Sequence, residues 1–158
     1  MSLDTEKPYR VSPDSIYIPS ILSLVQRSFA YMEARIDPPS SMHRLTEEAV
    51  AQQCEDGEVW AIGEPPFACV FLKYQPDSLY VGKLAVAQAV RGSGYARQLL
   101  DIAATRAADK KLSALELQVR VELVENQEVF KRFGFVKTGE DAHEGYDRPT
   151  SITMRKAL

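Results

Sequence analysis

Residues 115–121 alternate strictly: Leu115, Leu117, Val119 and Val121 are apolar, Glu116, Gln118 and Arg120 polar, the period of a strand buried on one face. Upstream, Ile21, Leu22, Val25 and Phe29 recur at helical spacing and predict an amphipathic helix from Ser20 to about Tyr31. Tyr9-Arg10-Val11 before it reads as a short strand followed by a Pro-Asp-Ser turn. Asp37-Pro38-Pro39-Ser40-Ser41 breaks any helix, because proline lacks an amide donor and restrains the residue before it. Thr46 then predicts an N-cap, with Glu47 and Glu48 at the positive helix end and Leu45 stapled to Val50. Asp56-Gly57 ends that helix.

Residues 59–62, 67–74 and 79–86 form three apolar runs separated by Glu64-Pro65-Pro66 and Gln75-Pro76-Asp77-Ser78, which predicts an antiparallel meander. The helix after it carries Ala96, Leu99, Leu100, Ala103 and Ala107 on one face and leaves Arg97, Asp101 and Arg106 to water. Strand, helix, then the alternating strand predicts a right-handed crossover and a parallel pair. Asn126 is the expected cap of a last short helix with Val129, Phe130 and Phe133 as its apolar stripe and Gly134 as its end. Residues 135–138 and 151–155 read as two final strands, joined by a polar loop, 141–150, too long for a tight hairpin. The sum is an α/β (α+β) domain: a mixed, mostly antiparallel sheet of about seven strands with a central parallel pair, and about four helices.

At 158 residues this is one domain's worth of chain, residues 1–158, with Met1-Ser2-Leu3 set aside as an expression scar. A formal charge of −3 provides no basic footprint for nucleic acid. No apolar run approaches a membrane span and the N-terminus lacks the features of a signal peptide, so the expected location is the cytoplasm, away from membrane. Cys54 and Cys69 have no metal-ligand spacing; Cys69 sits within the apolar run FACVFL and Cys54 near a helix end. With His43 and His143 the only histidines, no metal site is expected.

The meander's last strand runs into LAVAQAVRGSGYARQLL, residues 84–100. Gly92 and Gly94 let the backbone turn sharply with uncovered amides, and the helix that Gly94, Tyr95 and Ala96 open aims its unpaired N–H groups and positive dipole end into that turn, as phosphate requires. A dinucleotide fingerprint fails because Arg97 stands where the third glycine belongs, and a triphosphate loop fails because no Lys-Ser or Lys-Thr pair follows the glycines. The pattern [QR]-x-x-G-x-[GA] fits Arg91-Gly92-Ser93-Gly94-Tyr95-Ala96.

This loop resembles the coenzyme A pyrophosphate loop of the GNAT N-acetyltransferase superfamily. A second, separate segment, NQEVFKRFGF at residues 126–135, resembles the family's N…[YF]-x-x-x-G-F segment, and the order of elements is similar along nearly the whole chain. The resemblance implies splayed central strands with the pantetheine arm of acetyl-CoA between them. It implies that Leu84, Ala85 and Val86 offer backbone groups to that arm, with the Val86 N–H as oxyanion donor. It further implies that Arg91, Gly92, Ser93, Gly94, Tyr95 and Ala96 hold the pyrophosphate, that Asn126 and Phe130 line the opposite wall, and that Arg97 and Lys131 are candidate phosphate contacts.

The sequence departs from the family twice. Phe130 stands where many members carry a tyrosine that protonates the departing thiolate, and Tyr80-Val81-Gly82-Lys83 lacks a frequent glutamate. Catalysis then rests on positioning and oxyanion stabilisation with a water relay, or another residue supplies the acid or base. The loops 35–43 and 141–150, which flank the acceptor amine in the family, provide His43, His143 and Tyr146; His143 and Tyr146 are the catalytic candidates. Glu33, Asp37, Asp141, Glu144 and Asp147 are candidates to attract a cationic amine. The implied activity is transfer of an acetyl group from acetyl-CoA to a primary amine of a small molecule or an exposed protein amine; the alternative is a catalytically silent acyl-CoA-binding module. Homodimers are common in the resembled family.

Overall fold

The computed structural model describes residues 6–30 and 32–158, so the reading of Met1-Ser2-Leu3 and the helix end expected at Tyr31 lie outside the described residues. Seven strands form one mixed sheet: β1 (Tyr9–Arg10), β2 (Glu58–Ile62), β3 (Ala68–Tyr74), β4 (Ser78–Val86), β5 (Ala114–Arg120), β6 (Val136–Asp141) and β7 (Ser151–Ala157). Their spatial order is β1-β2-β3-β4-β5-β7-β6, and among the described residues β4–β5 is the one parallel pairing. Four α-helices accompany them: α1 (Ile18–Ala30), α2 (Glu47–Asp56), α3 (Tyr95–Asp109) and α4 (Val124–Arg132). The fold class read from the periodicities is the one observed, with element ends shifted by up to three residues, as at β6, which runs on to Asp141 where the strand was expected to end at 138.

Local chemistry sets the helix ends. Thr46 Oγ1 accepts from the Ala49 N–H at 3.1 Å, as an N-cap should, and Val50 beneath it is fully buried. Asn126 does not cap α4. Leu123, 5 % exposed, is the boundary residue and Asn126 falls inside the first turn, because the chain entering the helix is already fixed upstream: Leu123 N–H donates to Arg120 O at 3.1 Å, and the Gln127 amide reaches Arg120 O and Val121 O at 3.2 and 3.1 Å. Gly134, at φ +97°, closes the helix as expected.

Two apolar cores lie on the two faces of the sheet. The smaller joins Ile21, Leu24 and Val25 of α1 and Val50 of α2 to Val59, Ala61, Cys69 and Phe71. The larger joins Leu99, Leu100, Ala103 and Ala107 of α3 to Val70, Leu72, Leu79, Val81 and the inward residues of β5, with Phe135 and Met154. The small residues of α3 bring that helix close to the sheet. Arg106 is not left to water: its side chain is 21 % exposed and grips Glu58, whose carboxylate is fully buried beside Trp60 and Tyr74. Cys54 and Cys69 are both buried free thiols, and burial pushes the Cys69 thiol up to about 12. Among the described residues no helix is long and apolar enough to cross a membrane.

Candidate active site

The site begins with a bulge in β4. Cys69 pairs with Ala85 and Phe71 with Gly82, so the single residue Val70 of β3 is opposed by two of β4, Lys83 and Leu84. Lys83 stands within the extra length at φ +49°, a left-handed conformation rare for a residue with a side chain. The insertion shifts the alternation by one: Leu79 and Val81 face the larger core, and beyond the bulge Leu84 and Val86 face it too, while Ala85 belongs to the smaller. The Lys83 ammonium turns towards α2, donating to Gln53 Oε1 at 3.2 Å over the Phe71 ring, and burial followed by the neighbouring Lys73 charge lowers its pKa.

The same bend opens the sheet. β4 and β5 pair through Ser78↔Ala114, Leu79↔Leu115 and Tyr80↔Glu116, and there the ladder stops. Past that point lies a cavity of about 380 Å³ whose walls include Tyr80 and Gly82 of β4, Gln118 and Arg120 of β5, and Phe29 of α1 with Met32 and Ile36 beyond it. A Cβ on Gly82 would sit 3.3 Å from the Tyr80 ring, so the missing side chain there is what lets Tyr80 lie along the strand. Burial, then the Glu116 charge, raises the Tyr80 phenol's pKa, so Tyr80 is neutral in the cavity wall.

A second cavity of about 500 Å³ adjoins the first, walled by Gly92, Gly94, Tyr95, Ala96, Arg97 and Phe133 among others. Leu84, Val86, Arg91, Asn126 and Phe130 line both, so the two spaces share a waist between β4 and α4. At the waist, Ala87 N–H donates to Phe67 O at 2.8 Å, and because successive strand amides point to opposite edges, the Val86 N–H points away from β3 to the open gap. The Val86 carbonyl on that edge accepts from Arg91 Nε at 3.2 Å. Phe130 is fixed edge-on against Phe135, with ring centroids 5.8 Å apart.

The turn at the far end fits an anionic ligand. Gly92 and Gly94 have φ of +83° and +87°, and a Cβ on either would meet nothing within 4 Å, so their backbone is open to an approaching group. The first intrahelical bond of α3 is Gln98 N–H to Gly94 O at 3.1 Å, which leaves the N–H groups of Tyr95, Ala96 and Arg97 without helical acceptors. Arg97 lies 5.8 Å from the Phe133 ring centroid, adding a cation on the same wall.

The structure therefore brings together Leu84, Val86, Arg91, Asn126 and Phe130 at the waist, Ala85 in the first cavity, and Gly92, Gly94, Tyr95 and Ala96 in the second. Ser93 lies exposed on the turn, in neither wall. His143 lines the first cavity; its backbone N–H donates to Thr150 Oγ1 at 2.9 Å and its ring Nδ1 makes a close contact with the same hydroxyl, which is fully buried and reaches Asp141 O at 3.3 Å. Tyr146 is in neither wall: its hydroxyl donates to Asp37 Oδ1 at 2.6 Å, under the Arg148 guanidinium, and that bond to Asp37 is the chief reason its pKa is raised. His43 is exposed, with Nδ1 2.9 Å from Ser40 O.

None of Glu33, Asp37, Asp141, Glu144 and Asp147 is in a cavity wall; Asp37 instead ties the two flanking loops together through Tyr146 and Arg148. Sequence reasoning did not single out Tyr80 or Arg120, although the alternation of 115–121 placed Arg120 on the face that proves to carry the first cavity. Among the described residues no cluster of His, Cys, Asp and Glu could hold a metal ion.

Residues 21–135 match the acetyltransferase (GNAT) family, and the chain belongs to that family. Solved structures with the same fold include the PaiA N-acetyltransferase from Thermoplasma acidophilum in complex with coenzyme A (TM-score 0.82, 12 % identity, 98 % of this chain and 100 % of that one). Ard1 from Thermoplasma volcanium superposes with a TM-score of 0.75 at 18 % identity over 98 % and 99 % of the two chains. A GNAT acetyltransferase from Elizabethkingia anophelis with acetyl-CoA bound gives 0.69 at 16 % identity, again over 98 % and 99 %. No curated protein matches the chain significantly in sequence.

Proposed function

We propose that the protein transfers the acetyl group of acetyl-CoA to a primary amine. The observation that carries this is the shared waist: the open amides of the Gly92–Gly94 turn and the edge of β4 at Val86 that pairs with no strand face one continuous space, with the adjoining first cavity on the far side of Val86 for the acceptor. Membership of the GNAT family supports the reaction class, and the coenzyme A and acetyl-CoA complexes of two similar structures support the donor.

In this reading the backbone from Arg91 to Ala96 and the first turn of α3 hold the pyrophosphate, Leu84 to Val86 and the wall of Asn126 and Phe130 hold the pantetheine arm, and acetyl-CoA supplies an activated thioester at the waist. The Val86 N–H donates to the acyl oxygen as charge builds on it, an effect worth about 3 kcal/mol for a donor of this kind. His143 takes the proton that the amine loses on attack. With the Thr150 hydroxyl hydrogen on Asp141 O, His143 Nδ1 carries the ring proton and Nε2 is the acceptor. Tyr146 is assigned to holding loops 35–43 and 141–150 together rather than to proton transfer. Thiolate is a tolerable leaving group near neutral pH, which is how the reaction proceeds with Phe130 in the waist.

Phe130 is also the observation that favours a second reading, a silent acyl-CoA-binding module. Calorimetric titration with acetyl-CoA, followed by free-thiol release across a panel of primary amines, decides between them. Binding with amine-dependent thiol release is expected; binding without release with any amine leaves the module, and no binding at millimolar acetyl-CoA removes both.

A further inference from the structure

The acceptor cavity has walls of one electrical sign. Its ionisable residues are Tyr80, Lys83, Arg91, Arg120 and His143, and it includes no Asp or Glu. Three of these groups are differently employed: the Lys83 ammonium is turned towards Gln53, Arg91 sits at the waist against the Val86 carbonyl, and the His143 ring is held by Thr150. Arg120 stands apart. Its guanidinium donates from NH1 to Pro38 O at 2.5 Å and from NH2 to Pro39 O at 3.3 Å, and among the described residues no carboxylate lies within 4 Å of it. Carbonyls satisfy two donors without forming an ion pair, and a half-buried guanidinium with donors to spare is the side chain best matched to a carboxylate.

Resting on the acetyltransferase reading, we propose that the acceptor is an amine that also bears a carboxylate, anchored by Arg120, with an apolar body against Phe29, Met32, Ile36 and Val119. The anion that Arg120 awaits is not a phosphate of the donor, because Arg120 is absent from the walls of the cavity that holds the Gly92–Gly94 turn. Nor does the cavity suit a polyamine, whose second ammonium would find three cations and no carboxylate. Amino acids with a branched apolar side chain have the required layout: an amine and a carboxylate at one end, hydrocarbon at the other.

Two measurements test this. Protein saturated with coenzyme A is titrated calorimetrically with N-acetyl-leucine and with N-acetyl-leucinamide, for wild type, Arg120→Met and Arg120→Lys; thiol release from acetyl-CoA is then compared for leucine, leucinamide and spermidine. The carboxylate is expected to bind at least about tenfold more tightly than the amide, as loss of a charge-assisted pair implies. That ratio should fall to about one in Arg120→Met and be partly kept in Arg120→Lys. Weakening of both ligands alike in Arg120→Met, with their ratio intact, means that Arg120 only straps the Pro38–Pro39 segment and overturns the proposal. So does equal binding of acid and amide, binding of neither, or a preference for spermidine. Selective binding without thiol release would sink acetyl transfer and leave the anchor standing, whereas spermidine turnover would do the reverse.

Discussion

Arg106 grips Glu58 across the sheet with both arms of its fork, Nε to Oε1 at 2.8 Å and NH2 to Oε2 at 3.0 Å, while Trp60 Nε1 and Tyr74 Oη donate to the same carboxylate at 2.9 and 2.7 Å. Burial alone would raise this carboxyl's pKa, but the four donated hydrogen bonds, led by those of Arg106, outweigh it and hold it at about 2 against an ordinary 4.5. A folded value below the unfolded one stabilises the fold above the unfolded pKa and is lost as the pH falls through the folded value. The contribution, about 3 kcal/mol for a shift of this size, is therefore whole at pH 7, begins to fade below pH 4.5 and is gone near pH 2. Urea unfolding of Arg106→Met at pH 7 should show a loss of about 3–5 kcal/mol, because the carboxylate is left buried without its chief partner. At pH 3 the gap between variant and wild type should narrow; a constant gap would show that Arg106 acts by packing alone.

The bulge at Lys83 links stability to the opening of the sheet. Lys83→Gly relaxes the left-handed backbone and should leave acetyl-CoA affinity within about threefold and stability within about 1 kcal/mol, the lost Phe71 and Gln53 contacts offsetting the relief of strain. Lys83→Val puts a β-branched side chain at φ +49°, and should cost about 1–3 kcal/mol in urea unfolding. If the bulge positions the Val86 N–H, acetyl-CoA affinity falls with it; unchanged affinity in a destabilised Lys83→Val would separate the bulge from donor binding.

Gly94→Glu should abolish acetyl-CoA binding, with affinity reduced more than about a hundredfold, because a carboxylate and its stem would occupy the open ground where phosphate approaches. Backbone strain at φ +87° complicates the comparison, so Gly145→Ala is the control: Gly145 has φ +86°, equally open surroundings and no place in the second cavity. The two variants should lose similar stability, and only Gly94→Glu should lose the calorimetric signal.

The elements, their order and the anion-binding turn were legible because each is written locally: alternation in 115–121, Thr46 as a cap, and two glycines in the turn between the apolar strand β4 and α3. The cap of α4 was misread because Asn126 has the right chemistry and the wrong place; the Gln127 amide, reaching back to Arg120 and Val121, fixes the entering chain one turn earlier. Arg106 was read as solvated because nothing within helical spacing of it announces a partner 48 residues away. The acceptor walls were the least legible part. Arg120 looked like the polar face of a strand, and only the parting of β4 from β5 after Tyr80 turns that face into a cavity wall.

His143 and Tyr146 share a loop, yet the structure gives them different surroundings, and paired substitutions can tell their roles apart. His143→Asn should reduce kcat by about 10²–10³ if its ring takes the amine proton, with acetyl-CoA affinity unchanged because His143 is absent from the second cavity. Tyr146→Phe removes only the 2.6 Å bond to Asp37 and should leave kcat within about threefold while raising the acceptor KM, since the loop that carries His143 and the Asp37–Pro38–Pro39 segment lose a tie. Asp37→Asn should produce the same KM change, and the double variant Asp37→Asn with Tyr146→Phe should be no worse than either alone, as expected for two ends of one hydrogen bond. A large fall in kcat for Tyr146→Phe with His143→Asn unaffected would exchange the two assignments and make Tyr146 the proton carrier, brought to the cavity by movement of its loop.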